Sequence, residues 1–313
     1  MRCSISNLDV SCCCNDYSSV SLHRAKGGIL MVQNRPILDI ISHLVLIIGI
    51  IIVALPIWIT FVAATHDPLR MTQAPIPLLP GSYFWENFVT TLFGKGLSGA
   101  ETAPVWRMLF NSLSMAMMIA IGKIAISLLS AFAIVYFKFP FRMGFFWLIF
   151  ITLMLPVEVR ILPTFEVVAN LGMLNSYWGL SIPLIASATA TFMFRQVFLT
   201  IPDEMLESSR IDGAKPMRFF WDILIPLSRT NIAALFVILF IYGWNQYLWP
   251  LLITTDSDMT TIVMSIKQML ESAEQQPEWN IIMMTALLAM IPPVFVVIAM
   301  QKLFVQGLTE TDK

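Results

Sequence analysis

A polar segment in the second half of the chain carries the residues whose types and spacing are most informative. It reads Glu207-Ser-Ser-Arg-Ile-Asp-Gly213, and Ile223-Leu-Ile-Pro226 follows it after nine intervening residues. The chemistry that this segment offers is non-covalent docking. Ser208 and Ser209 are expected to make one face of a helix small, so that another protein surface can approach closely.

The flanking residues predict a helix, a tight turn and a second helix. Pro202 and Asp203 fit a helix start, with the proline at the first helical position and the carboxylate in the first turn. Gly213 stands where a helix needs a left-handed stop. Pro216 then opens a second short helix, predicted at Met217–Leu224. A structured loop of this kind fits a site for a soluble partner, and the alternative is a solvated loop with ordinary caps.

The elements that position this loop are membrane helices. The chain is 57% apolar and 12% charged, against roughly 25% charged residues in a soluble domain. Six apolar runs approach the length of about 20 residues that a helix needs to cross hydrocarbon. They are Ile40–Ala63, Arg107–Val135, Arg142–Val157, Tyr177–Phe198, Asn231–Thr254 and Ile281–Phe304. We therefore predict an all-α polytopic membrane protein with six transmembrane helices. A net charge of −1 gives no basic footprint for nucleic acid.

The distribution of lysine and arginine predicts the orientation. With the N-terminus inside, thirteen of these residues fall on the cytoplasmic side and four on the outer side, namely Arg70, Lys95, Arg160 and Lys267. Both termini and the segment Glu207–Gly213 are thus expected in the cytoplasm. The outer loops are expected to contain short helices, around Tyr83–Thr91, within Glu158–Ser176 and over Met259–Leu270.

The polar segment resembles the signature of ABC importer permeases, Glu-Ala-Ala-x3-Gly-x9-Ile-x-Leu-Pro. Both alanines are serine here and the leucine is Ile225, while the spacing is intact. The resemblance implies a type I ABC importer transmembrane domain over residues 31–313, with a cytoplasmic coupling loop at 199–227. In that family the loop docks into a groove of a cytoplasmic ATPase and transmits its motion to the membrane helices. The residues that this implies for coupling are Glu207, Ser208, Ser209, Asp212, Gly213 and Ala214.

Further segments are similar to the carbohydrate-type branch of these permeases, and within it to the permeases of sn-glycerol-3-phosphate importers. They include Ile151–Arg160, Ala186–Thr191 and Phe240–Leu252. The resemblance implies a multi-pass subunit of the bacterial inner membrane that imports sn-glycerol-3-phosphate or related glycerophosphodiesters by alternating access. The implied partners are a second, different permease, a periplasmic substrate-binding protein and a dimer of ATPases that binds the ATP and magnesium. The alternatives are the same architecture importing a sugar or other polyol, and a membrane enzyme or passive channel.

Lys123 is the only lysine or arginine that we place deep within a span. A charge at that depth costs about 2.5–3.5 kcal/mol on insertion scales, so the side chain is expected to face protein or water. It can meet an anionic substrate in the translocation path, or it can pair with helix carbonyls or a carboxylate. Glu158 and Arg160, at the outer end of the third predicted span, leave a similar choice between a local ion pair and the mouth of the path.

The fifth predicted span contains Tyr242-Gly-Trp-Asn-Gln-Tyr-Leu-Trp-Pro250. Aromatic rings stack on the carbon faces of polyols and amides bind hydroxyls, so Trp244, Asn245 and Tyr247 are candidates for the substrate path. The alternative for the aromatic residues is the belt that such rings form at membrane interfaces.

The sequence shows no enzyme signature, so we predict no catalytic residues. Three histidines, at positions 23, 43 and 66, have no metal-site spacing, and no Gly-x-x-x-x-Gly-Lys-Ser/Thr loop for ATP is present. We therefore expect no metal or cofactor on this chain. All four cysteines fall within the first 14 residues. Residues 1–30 are expected to be a disordered tail or an artefact of an upstream start.

Overall fold

The computed structural model describes residues 24–25, 28–29, 36–94, 103–152, 157–186, 188–272 and 278–309. Of the expected N-terminal extension, 1–30, only four residues are described, so its disorder stays a prediction, and the four cysteines lie outside the described residues. The chain divides into two compact units, Met1–Ile57 and Trp58–Lys313. The first unit contains an antiparallel pair of two-residue strands, β1 (Arg24–Ala25) and β2 (Gly28–Ile29).

The other regular elements of the described chain are helices. In chain order they are α1 (Pro36–Ala64), α2 (Pro68–Met71), α3 (Phe84–Phe93), α4 (Val105–Tyr136), α5 (Arg142–Ile151), α6 (Val157–Asn170), α7 (Tyr177–Ile185), α8 (Ala188–Leu199), α9 (Asp203–Ile211), α10 (Pro216–Phe219), α11 (Ile225–Leu227), α12 (Arg229–Trp244), α13 (Leu248–Ile253), α14 (Ile262–Ser272) and α15 (Trp279–Thr309). A π-helical turn, Phe220–Leu224, joins α10 to α11, and a 3₁₀ turn, Ser257–Met259, precedes α14.

Three of these helices are long and apolar enough to cross a membrane, at Ile40–Ala64, Val105–Tyr136 and Trp279–Gln301. Two bent pairs bring the number to five if each pair is one span: α7 with α8, at 49°, and Pro216–Leu227 with α12, at 74°. The third predicted span is represented by the ten-residue α5, and residues 153–156 beyond it lie outside the described chain. The all-helical membrane architecture is confirmed, while the count of six spans and the cytoplasmic termini stay predictions.

The core of the second unit is built around α4. Its buried side chains recur every three to four residues from Met108 to Phe132, as a helix with one packed face requires. This face packs against α7, α8 and α12, and α12 packs in turn against α15. The contact with α12 is close because residue 243 is glycine: a Cβ there would lie 3.0 Å from the Cα of Ala116. Other side chains of α4, such as Phe110 and Ile121, are exposed.

The short helices expected in the outer loops are present. The helix expected around Tyr83–Thr91 is α3, the one within Glu158–Ser176 is α6, and the one over Met259–Leu270 is α14. The fifth predicted span, Asn231–Thr254, is interrupted between α12 and α13 at residues 245–247.

Candidate functional site

The coupling loop begins with α9. Pro202 has extended backbone angles, φ −60° and ψ 140°, and precedes the helix. The predicted helix start, with Pro202 at the first helical position, is therefore one residue too early, and Asp203 takes that position. Asp203 and Glu204 place two carboxylates in the first turn, where the positive end of the helix dipole stabilises negative charge.

The end of α9 confirms the predicted left-handed stop. Gly213 has a φ of +72°, which glycine adopts at no steric cost. The amide of Ala214 donates to the carbonyl of Ser209 at 2.9 Å, and the amide of Gly213 donates to the carbonyl of Arg210 at 3.0 Å. These two hydrogen bonds form a Schellman motif, which provides donors for carbonyls that would otherwise have no hydrogen-bond partner at the end of the helix. Asp212 is the last residue before the reversal.

The predicted coupling residues do not share one face. Glu207, Ser208, Asp212 and Gly213 are exposed, Ala214 is half-buried, and Ser209 is only 4% exposed. The expectation that the two serines form one small open face is therefore wrong, because successive residues of a helix do not point the same way. The Ser209 hydroxyl faces inward and donates to the carbonyl of Leu206 at 2.8 Å.

Two clefts lie on either side of the buried serine. One, of about 230 Å³, is lined by Ser209, Asp212, Ala214, Arg218, Phe219, Asp222 and Ile223. The other, of about 370 Å³, is lined by Phe132, Tyr136, Phe137, Lys138, Leu206, Ser209, Arg210, Ala214, Pro216 and Phe219. The small side chains in the signature therefore keep space open between α9, the following helix and the end of α4.

An aromatic cluster fastens the loop to α4. Phe219 and Phe220 are each 2% exposed. The ring of Phe220 lies 4.9 Å from that of Phe132, and the ring of Phe219 lies 5.2 Å from that of Tyr136. We call these four residues the aromatic anchor. Sequence reasoning missed the anchor, although two adjacent phenylalanines in a polar loop were the available signal.

The same loop also exposes large apolar side chains. Ile211 is 86% exposed, Trp221 is 61% exposed and Met217 is 50% exposed. Apolar side chains gathered on a polar, structured loop are typical of a surface that binds another protein. Sequence analysis also missed these residues, because it considered only the small and charged signature positions between them.

Lys123 lies inside the packed unit, about midway along α4. The residue is 6% exposed, and its ammonium nitrogen lies 3.9 Å from the centroid of the Tyr242 ring on α12. Among the described residues no carboxylate lies within ion-pair distance of it. The expected pairing of Glu158 with Arg160 cannot be followed, since the Glu158 side chain lies outside the described part of the chain.

The three candidates at the end of α12 separate in the structure. Trp244 is 3% exposed and stacks on Phe240 with the ring centroids 5.9 Å apart, so it belongs to the core. Asn245 is exposed and caps α12, and its backbone N–H donates to the carbonyl of Ile241 at 3.0 Å. Tyr247 is half-buried under the ammonium of Lys267, 4.5 Å from the ring centroid.

A polar joint connects the other end of α4 to the predicted outer loops. The buried amide of Asn111 donates to the carbonyls of Asp258 and Thr260, at 2.9 and 3.0 Å, and accepts from the Tyr177 hydroxyl at 2.6 Å. Arg107 forms an ion pair with Asp258 at 2.9 Å. None of these contacts follows from sequence spacing, because the partners are up to 151 residues apart.

These features define the inner-membrane component of a binding-protein-dependent transport system. The model of that family matches residues 123–310, and the chain belongs to the family. It is thus a transport component of the inner membrane rather than an enzyme.

Among its relatives are proteins described as the sn-glycerol-3-phosphate transport system permease protein UgpE. Those of Agrobacterium fabrum, Brucella melitensis and Escherichia coli K12 are each 58% identical over 283 residues, which is 90% of this chain and 100% of theirs.

Solved structures show the same fold at lower identity. One chain of a bacterial ABC transporter involved in the import of the acidic polysaccharide alginate superposes with a TM-score of 0.72 and 19% identity, covering 85% of this chain and 96% of that one. A chain of the alginate transporter in complex with a pentasaccharide-bound periplasmic protein covers the same shares, with a TM-score of 0.51 and 14% identity.

Proposed function

We propose that this chain is a permease subunit of an ATP-driven importer that carries sn-glycerol-3-phosphate across the inner membrane. The observation that carries the proposal is 58% identity to the three permeases named above along their whole length. Related glycerophosphodiesters are further candidate substrates. The assembly would contain a second, different permease, a periplasmic binding protein and a dimer of cytoplasmic ATPases, which would bind the ATP and magnesium.

The coupling loop supports this proposal by its construction. Its signature residues, Glu207–Ala214, end in a rigid Schellman cap, and its exposed apolar side chains offer a contact surface to an ATPase. Behind this surface the aromatic anchor ties the loop to α4. A displacement of the loop is therefore imposed on a membrane helix rather than absorbed by a flexible connection. Closure of the ATPase dimer would move the loops together and open the cavity outward, and hydrolysis would reset it.

The test is uptake by a strain with and without this chain. Cells that depend on sn-glycerol-3-phosphate as their sole phosphate source should grow only when the intact chain is present. Radiolabelled glycerol-3-phosphate uptake should be competed by unlabelled ester and not by glycerol or a neutral sugar. Uptake of a labelled neutral sugar without uptake of labelled glycerol-3-phosphate would assign the importer to the sugar, and uptake without any ATPase subunit would overturn the transport mechanism.

A further inference from the structure

Lys123 is an unusual residue to find in the middle of a membrane helix. Its side chain is almost fully buried, and its nearest aromatic neighbour is Tyr242, at 3.9 Å from the ring centroid. The face of an aromatic ring attracts a cation but leaves its charge uncompensated. Ionisable groups within the bilayer are expensive to keep and commonly mark the path of a substrate or ion.

The charges around Lys123 favour an anion. Within the described residues, the charged group whose field acts on its ammonium is Arg160, which carries the same sign. Arg160 is on α6 and is exposed. Lys123 and Arg160 carry like charges, and among the side chains that the structure describes no carboxylate lies within ion-pair distance of the Lys123 ammonium. An anion placed there would relieve the repulsion of both.

The face of α12 beside Lys123 adds polar groups. Tyr242 and Asn245 are three residues apart, so they lie on the same side of the helix. Asn245 is exposed at the break between α12 and α13, whereas Trp244 points into the core. An amide can donate to and accept from hydroxyls. The ring that contacts Lys123 and the side chain of Asn245 thus lie on the same side of α12.

We infer that Lys123, with Arg160, binds the phosphate group of the transported ester, and that Asn245 contacts its hydroxyls. This inference rests on the proposed function. The ring of Tyr242 holds the ammonium while no ester is present, and a phosphate draws it away because a full negative charge attracts it more strongly than a ring does. The positive charge selects phosphate esters over the neutral polyols of the same size.

The experiment uses the whole complex, with both permeases, the ATPases and the binding protein, in proteoliposomes. Uptake of radiolabelled sn-glycerol-3-phosphate is measured per assembled complex, beside the ATPase activity that the loaded binding protein stimulates. Lys123→Met is expected to lower uptake at least tenfold while stimulated ATPase activity stays within twofold. Lys123→Arg is expected to retain part of the uptake, since it keeps the charge and changes its geometry.

Lys267→Met is the matched control, because it removes another ammonium that lies over a tyrosine ring, 4.5 Å from its centroid. Uptake by this variant should stay within twofold of wild type. Arg160→Gln provides a second variant at an exposed position, where folding is less affected, and it should raise the KM for the ester. If Lys123→Met does not assemble, the KM of Arg160→Gln decides.

Unchanged uptake by Lys123→Met would overturn the inference. An equal loss of uptake and ATPase activity that Lys123→Arg does not relieve would also overturn it. Where the methionine variant fails to assemble, an unchanged KM for Arg160→Gln would overturn it. These differ from failure of the proposed function, in which the wild-type complex itself imports no glycerol-3-phosphate.

Discussion

Replacing Gly213 by valine tests whether the shape of the coupling loop is required for transport. A Cβ at this position would meet no atom within 4 Å. The cost that we expect for the substitution comes from the φ of +72°, which a residue with a side chain adopts at about 1–2 kcal/mol. Because 1.4 kcal/mol corresponds to a factor of ten in an equilibrium constant, we expect about a tenfold fall in the equilibrium constant between the capped loop and its uncapped forms, and a lower rate of uptake.

Gly172 supplies the matched control. It has a φ of +67°, and a Cβ there would also meet nothing within 4 Å. It lies between α6 and α7, in a loop predicted to face the outside. Gly172→Val therefore carries the same backbone cost at a place that does not touch an ATPase. Gly213→Asn is a graded variant, since asparagine tolerates the left-handed region better than valine does.

The assay is ATPase activity stimulated by loaded binding protein, together with uptake, both normalised to assembled complex. We expect Gly213→Val to lower both, Gly213→Asn to lower them less, and Gly172→Val to leave both near wild type. Normal coupled ATPase activity in the Gly213→Val complex would refute the reasoning. So would an equal loss in Gly172→Val, because it would trace the effect to general backbone strain.

Three further tests, two of them with a comparison substitution, examine how α4 is held in place. Phe220→Ala should destabilise the purified complex by about 3–5 kcal/mol, which should lower its thermal unfolding temperature. An unchanged unfolding temperature would show that the aromatic anchor does not stabilise the complex. Gly243→Val should force helices apart and lower the yield of complex, whereas Gly49→Val, where a Cβ meets nothing within 4 Å, should not. Asn111→Leu leaves the carbonyls that Asn111 binds without donors, at about 1–3 kcal/mol each. It should therefore lower the unfolding temperature more than Tyr177→Phe does. Equal decreases in the unfolding temperature would contradict this expectation.

The features that sequence predicted correctly are governed by local rules. The positive φ of Gly213 follows from the demands of a helix end, and the helices α3 and α14 follow from short periodic patterns. The extent of the long spans α1 and α4 follows from apolar length alone. In each case the relevant neighbours lie within a few residues along the chain.

The features that sequence did not predict depend on distant contacts. Ser209 is buried because α9 turns it toward the end of α4, and its neighbour Ser208 is not. Trp244 resembles an interfacial or substrate-facing residue, yet it stacks into the core beside Phe240. The aromatic anchor joins residues almost 90 positions apart. A hydropathy pattern also cannot show where a span bends, as at the join of α7 and α8.

The position of these features along α4 suggests why the helix is so long. Asn111 joins it to the loops that are predicted to lie outside, Lys123 lies near its middle, and Tyr136 ends it at the coupling loop. At 1.5 Å per residue, Asn111 and Tyr136 are about 38 Å apart. No proline interrupts α4, and a close-packed interior transmits strain instead of absorbing it. A movement of the anchor would therefore reach both the buried lysine and the joint at Asn111 through one continuous helix.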